Sequence, residues 1–111
     1  MIKKILSAVL MASIFSASAA IVQTNPTKIS QINSYESFTN ADTVIQVDAP
    51  HSSCPGGYWM QMSEAGFKKN MAMVIASFHA QGNIMIYADT TLLWAYSPSP
   101  VCLITQIILV R

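Results

Sequence analysis

The strongest hydrophobic periodicity in the chain runs from residue 63 to residue 81. Its apolar positions are separated by four, three, one and three residues, which is the spacing of one face of an α-helix. The sequence therefore predicts an amphipathic helix with a single apolar stripe made of Phe67, Met71, Val74, Ile75 and Phe78.

Residues at both ends of this segment are typical of helix ends. Ser63 has a side chain that can cap backbone N–H groups, and Glu64 would place negative charge in the first turn. Gly82 can adopt the left-handed conformation that ends many helices. We predict that the helix begins at Ser63 and ends before Gly82.

Three segments have strand patterns. Residues 43–48, T-V-I-Q-V-D, alternate in part and are β-branched, and residues 84–88 form a short apolar run close behind the helix. Residues 101–110 are apolar at both parities, which predicts a last strand buried on both faces. Asp89, Thr90 and Thr91 indicate a turn between the last two strands.

The remaining segments are less regular. Residues 21–40 fit either a short helix or an irregular edge strand, because their periodicity is weak. Residues 49–57 form a Pro-, Ser- and Gly-rich loop, and an apolar patch at 92–96 is broken by S-P-S-P at 97–100. The expected fold class is α+β: a small, mostly antiparallel sheet of three or more strands with one helix packed across it.

The first 20 residues have the layout of an export signal. Lys3 and Lys4 precede an apolar run, and small residues follow at 16–20, with a cleavage site before Ala20 or before Ile21. The apolar run is shorter than the roughly 20 residues of a transmembrane helix. We expect a signal peptide at 1–20, a single small domain at 21–111 with no integral membrane segment, and a secreted or periplasmic location.

Loss of the leader changes the charge balance. Of the six basic residues, Lys3 and Lys4 leave with it, so four remain against five acidic residues. Nucleic-acid binding needs a basic stripe that neutralises phosphates, and the chain has none. We expect no nucleic-acid partner.

The chain has two cysteines, Cys54 and Cys102. In an oxidising compartment we expect them to form one disulfide. The alternatives are two free thiols, a metal pair with His51 or His79, or a nucleophilic cysteine beside His51. A structural zinc site needs four closely spaced ligands, and none are clustered here, so we expect no metal and no cofactor.

Catalytic signatures are missing from the sequence. It contains no G-x-S-x-G elbow, no H-E-x-x-H motif and no glycine-rich phosphate loop. We expect a protein that is not an enzyme.

Aromatic residues are the better functional candidates. Tyr58 and Trp59 follow the cysteine loop, and Trp94 and Tyr96 lie between strands. Aromatic faces stack on sugar rings, so these four are the candidate ligand-binding residues. The alternative is that Trp59 and Trp94 are core residues beside the disulfide.

One family resemblance rests on the order of short segments from residue 54 onward. The chain reads C-P-G-G-Y-W-M, then G-F-K-K-N-M, F-H-A-Q-G, N-I-M-I-Y, L-L-W-A-Y and V-C-L-I. This order resembles small secreted bacterial proteins with a Cys-Pro-Gly-Trp box. More distantly it is similar to the pentameric binding subunits of subtilase and pertussis-like toxins.

The resemblance implies an OB-like barrel and a glycan-binding recognition module, and it leaves open a homo-oligomer. It assigns no sugar-binding residue, because no position matches a sugar-site motif. The expected partner is a glycan or a protein. The rival hypothesis is a structural or assembly protein of the cell envelope, in which the apolar last strand pairs with another strand.

Overall fold

The computed structural model describes residues 20–111, so the predicted signal peptide lies, apart from Ala20, outside the described residues. The described chain forms six strands and one α-helix. They are β1 (Ile21–Gln23), β2 (Ile29–Ser34), β3 (Thr43–Val47), β4 (Gly57–Met60), α1 (Phe67–Ala80), β5 (Asn83–Leu93) and β6 (Val101–Val110). A short 3₁₀ helix, Phe38–Ala41, lies between β2 and β3.

The strands form one sheet in the order β1-β5-β6-β4-β3-β2. All neighbours are antiparallel except β4 and β6, which are parallel. The two outermost strands, β1 and β2, are successive parts of one bent segment. The segment between them also pairs with β5, at Thr27, so the six-stranded sheet curves round on itself into a small barrel.

The bend between β1 and β2 is held by buried threonines. Thr27 exchanges backbone hydrogen bonds with Ile84 on β5, at 2.9 and 2.8 Å, and one residue later Lys28 accepts from the N–H of Asp48. The Thr24 and Thr27 hydroxyls accept from the N–H groups of Ile86 and Ala49. These side chains satisfy backbone donors where the chain changes partner strand.

The hydrophobic core fills the barrel interior. Ile45, Tyr58, Val74, Ile84 and Ile86 are all fully buried there. Helix α1 contacts β2 and β6. A second, smaller cluster lies on the opposite face of the sheet and contains Val44, Trp59, Trp94 and Val101.

The disulfide between Cys54 and Cys102 is present, with 5.6 Å between the two Cα atoms. Both residues are fully buried in the barrel core. Cys102 pairs with Tyr58 in the parallel β4–β6 ladder. The bridge therefore ties the loop before β4 to the start of the last strand.

The helix is confirmed and ends before Gly82 as predicted, but its predicted start and its predicted left-handed residue were wrong. It begins at Phe67 after the N-cap Gly66, because residues 61–67 form two successive tight turns, with Gln61 and Glu64 as the acceptors. The Ser63 hydroxyl instead donates to the Gln61 side chain. The left-handed residue at the C-terminus is Gln81, with φ 54°, and not Gly82.

The apolar stripe was also partly misassigned. Val74 and Ser77 are buried, and Phe67 and Met71 are partly buried. Ile75 and Phe78 are 53% and 45% exposed. The face of α1 that packs on the barrel is therefore rotated from the predicted stripe.

Among the strands, β3 and β6 have the predicted positions. Of the two alternatives for residues 21–40, the edge strand is the one observed, as β1 and β2 at the two ends of the strand order. The turn predicted at Asp89 is wrong, because β5 continues to Leu93. The pairing of β5 with β6 instead shifts register between Asp89 and Leu93. The last strand was predicted to be buried on both faces. This is confirmed only near its start, because Thr105, Gln106 and Leu109 are exposed.

Candidate functional site

Two loops meet at one end of the barrel. The first joins β2 to β3, and the second joins β5 to β6. The indole N–H of Trp94 in the second loop donates to Asp42 Oδ2 in the first, at 3.0 Å. Asp42 is only 5% exposed, so this charge-assisted hydrogen bond compensates for its burial and holds the loops together.

Aromatic rings extend from this contact. The ring centroids of Tyr35 and Trp94 are 5.5 Å apart, and those of Trp94 and Tyr96 are 5.4 Å apart in an edge-to-face arrangement. Tyr35 is half-buried and Tyr96 is 52% exposed. We call Tyr35, Trp94 and Tyr96 the aromatic row.

Polar amide side chains continue the row along β2. Side chains two residues apart on a strand share a face, so Gln31, Asn33 and Tyr35 lie on the outer face. Gln31 Nε2 donates to Asn33 Oδ1 at 3.0 Å, and Gln31 pairs with Gln46 on β3. We call Gln31, Asn33 and Gln46 the amide row.

The four aromatic residues predicted as ligand contacts occupy different environments. Tyr58 and Trp59 are adjacent on β4 and therefore point to opposite faces of the sheet. Tyr58 is fully buried inside the barrel, while Trp59 is 8% exposed and donates its indole N–H to the Leu92 carbonyl at 3.0 Å. Trp94 is 8% exposed, so Tyr96 is the member of this group with the largest open ring surface.

Sequence reasoning missed Tyr35 and Asp42. The segment around Tyr35 had no clear period, and Asp42 stood alone just before the predicted strand at 43–48. The signal that was present is the alternation Gln31, Asn33, Tyr35, which marks one wet strand face.

His51 and Cys54 do not form a catalytic pair, because Cys54 is in the disulfide. His51 Nδ1 accepts the N–H of Ser53 at 3.0 Å, which shapes the loop. The N–H of His51 donates to the Tyr58 hydroxyl at 2.9 Å. Within residues 20–111 no group of three or more His, Cys, Asp or Glu side chains converges on a metal-sized site.

The buried Tyr58 hydroxyl predicts an alkaline destabilisation. Burial raises the pKa of Tyr58 above its ordinary value of 10.0, and the hydrogen bond from His51 opposes this only in part. The folded chain therefore keeps this proton to higher pH than the unfolded chain. The stability linked to it is fully present below about pH 10 and is lost as the pH rises through the folded-state pKa.

We expect the free energy of unfolding to fall more steeply above about pH 10 in the wild type than in Tyr58→Phe. Urea unfolding monitored by circular dichroism at a series of pH values measures both slopes. The two proteins differ only at this hydroxyl, so the difference between the slopes isolates its contribution. Identical slopes would contradict the prediction.

No family model, curated protein or solved structure matches this chain. No helix within residues 20–111 combines the length and apolar character needed to cross a bilayer.

Proposed function

We propose that this protein is a secreted or periplasmic recognition module that binds an uncharged oligosaccharide on the surface formed by the aromatic row and the amide row. A role like that of a toxin binding subunit is the more specific form of the same proposal. The observation that carries it is the packing of Trp94 between Tyr35 and Tyr96 where two loops meet.

The chemistry of the surface supports a sugar. Aromatic rings offer apolar faces to the C–H faces of sugar rings. Amides both donate and accept hydrogen bonds, as sugar hydroxyls require, and Gln31, Asn33 and Gln46 lie on the neighbouring strands. The two loops and the outer strand face are also where OB barrels bind oligosaccharides and oligonucleotides.

Charge distinguishes between those two ligands. The residues of the aromatic row and the amide row carry no formal charge, and the nearby Asp42 carboxylate is buried and bound to Trp94. An oligonucleotide would need cations against its phosphates. A neutral glycan fits the surface better.

The disulfide and the predicted leader support export. A buried disulfide persists in oxidising compartments and is rare in the cytosol. An export signal at 1–20 would deliver the chain to such a compartment.

The test is binding of the disulfide-intact protein to an array of neutral oligosaccharides, followed by titration of the best one. We expect Tyr96→Ala to weaken binding at least tenfold, since it removes the most exposed ring of the row. Thermal unfolding of Tyr96→Ala checks that its fold is kept.

Phe78→Ala is the matched control. Phe78 is also a half-exposed aromatic residue, at 45%, but it lies on α1, away from the two loops. Its affinity should equal that of the wild type. Failure of the wild type to bind any neutral glycan, or equal losses in both variants, would overturn the proposal.

A second function, cell-envelope assembly, is favoured by one observation: among residues 20–111, β4 pairs with β6 only at Val101, Cys102 and Leu103, so the rest of β6 has a strand partner on one side. The gene neighbourhood separates the two functions. A neighbouring gene for an enzymatic toxin subunit would favour the recognition module, and neighbouring secretion or pilus genes would favour assembly.

A further inference from the structure

The first strand of the sheet depends on the residue that precedes it. Ala20 lies one position before β1, and its carbonyl oxygen accepts two hydrogen bonds from Thr90 on β5. The backbone N–H of Thr90 donates at 3.0 Å and its side-chain hydroxyl at 3.2 Å. The backbone contact between β1 and β5 therefore begins at Ala20.

The register shows what this carbonyl contributes. Hydrogen-bonded and non-hydrogen-bonded positions alternate along an antiparallel pair. Ala20 and Thr90 face each other at a hydrogen-bonded position, so Ile21 and Asp89 occupy the non-hydrogen-bonded position beside it. Because β1 has three residues and the Ile21 side chain is 50% exposed, loss of the Ala20 carbonyl would leave the start of the strand weakly held.

On β5, the backbone groups that follow Thr90 have other partners. The N–H of Thr91 donates to the carboxylate of Asp89 at 2.8 Å. The Leu92 carbonyl accepts the indole N–H of Trp59 at 3.0 Å. The hydrogen-bonded ladder between β1 and β5 therefore ends at Thr90.

Two peptide bonds at the end of the predicted leader fit the small-residue rule for signal cleavage. A cut before Ala20 has Ala17 and Ala19 at the third and first positions before the bond. A cut before Ile21 has Ser18 and Ala20 at those positions. The two products differ by one residue, and the first product is the one that keeps the carbonyl at the start of the ladder.

We propose that export processing hydrolyses the Ala19–Ala20 bond, so that the mature chain begins at Ala20. Water adds across this peptide bond, leaving a carboxylate on Ala19 and an α-ammonium group on Ala20. Ala17 and Ala19 match the A-x-A pattern itself, whereas the other cut replaces one alanine by Ser18. Sequence preference and hydrogen bonding therefore favour the same bond. The inference rests on the proposed export of the chain.

Intact-mass spectrometry of the chain recovered after export, expressed from its full precursor in a bacterial host, tests the bond. We expect the main species to begin at Ala20. A main species that begins at Ile21 would overturn the inference and leave the proposed export standing. A chain that keeps its leader would overturn the proposed export and this inference with it.

Two matched variants of the precursor distinguish the two bonds. A large polar side chain directly before the cut is incompatible with the small-residue requirement, whereas the position after the cut is outside that requirement. We expect Ala20→Gln to be processed like the wild type, at the same bond. Ala19→Gln should reduce the fraction of chains that begin at residue 20 at least tenfold. The reverse pattern would place the cut before Ile21 and overturn the inference.

Amide hydrogen exchange tests the structural side of the argument. Deleting Ala20 from the precursor gives a mature chain that begins at Ile21, and its Thr90 N–H should exchange at least tenfold faster than in the wild type, because its acceptor is gone. The N–H of Thr24 donates to the Ile86 carbonyl at the other end of β1 and is the internal control. Equal exchange of Thr90 in the two chains would overturn the role given to Ala20.

Discussion

Opening the Cys54–Cys102 disulfide is expected to lower the free energy of unfolding by about 4 kcal/mol. The bridge joins residues 48 positions apart, and closing a loop of that length removes chain entropy from the unfolded state. Unfolding free energies of small domains are typically about 5–15 kcal/mol, so the loss would be a large share of the margin. Urea unfolding followed by circular dichroism measures the difference.

The best comparison is the oxidised and the reduced wild-type protein. Both sulfur atoms stay in the core on reduction, so the packing volume is nearly unchanged and the cross-link alone is removed. The double variant Cys54→Ala, Cys102→Ala should be less stable than the reduced protein, since it also leaves space in the core. A reduced protein within about 1 kcal/mol of the oxidised one would contradict the loop-closure argument.

Gly57→Ala is expected to cost about 3 kcal/mol. Gly57 begins β4 with φ +117°, a backbone conformation that side chains rarely adopt. A Cβ atom there would lie 2.6 Å from the Ile45 carbonyl oxygen on β3, and a backbone atom in a paired strand cannot move aside easily. The variant should unfold at a clearly lower urea concentration.

Gly66→Ala is the matched control for Gly57→Ala. Gly66 precedes α1 with φ −90°, and a Cβ atom there would approach nothing closer than Asn70 Nδ2 at 3.9 Å. We expect its free energy of unfolding to change by less than about 1 kcal/mol. Equal losses in the two variants would show that the contact with Ile45 is not the cause.

The positions of β3, β6 and the first half of β5 were predictable from local pattern, but β4 and the closure of the barrel were not. The alternation in β3 and the apolar run of β6 indicated strands, but not which strands they pair with. The bend between β1 and β2 depends on Thr24 and Thr27, whose hydroxyls bond backbone groups far away in sequence. Such long-range contacts leave no period in the sequence.

The helix stripe was misassigned for a related reason. Periodicity says which residues could share a face, but tertiary packing decides which face is covered. Ser77 is buried because its hydroxyl donates to the Gly82 carbonyl just beyond the helix, while Ile75 and Phe78 remain exposed. Ser77 is therefore buried because its hydroxyl has a hydrogen-bond partner, although a prediction from hydrophobicity alone places it on the exposed face.

The candidate site was predicted only in outline. The loop containing Trp94 and Tyr96 was identified from its aromatic residues, but Tyr35 and Asp42 joined it only through tertiary contacts. Two of the four predicted aromatic residues, Tyr58 and Trp59, follow one another on a strand, so at most one could face any given surface. The two-residue period of a strand was therefore enough to predict that Tyr58 and Trp59 face opposite sides of the sheet.

The placement of the two tryptophans gives the molecule its own optical reporter. The chain has two tryptophans, Trp59 and Trp94, and both belong to the small cluster on the outer face of the sheet. Intrinsic fluorescence excited at the indole band therefore samples this region and not the barrel interior. A ligand settling on Tyr96 should shift that emission, through the ring contact with Trp94, without any label being attached.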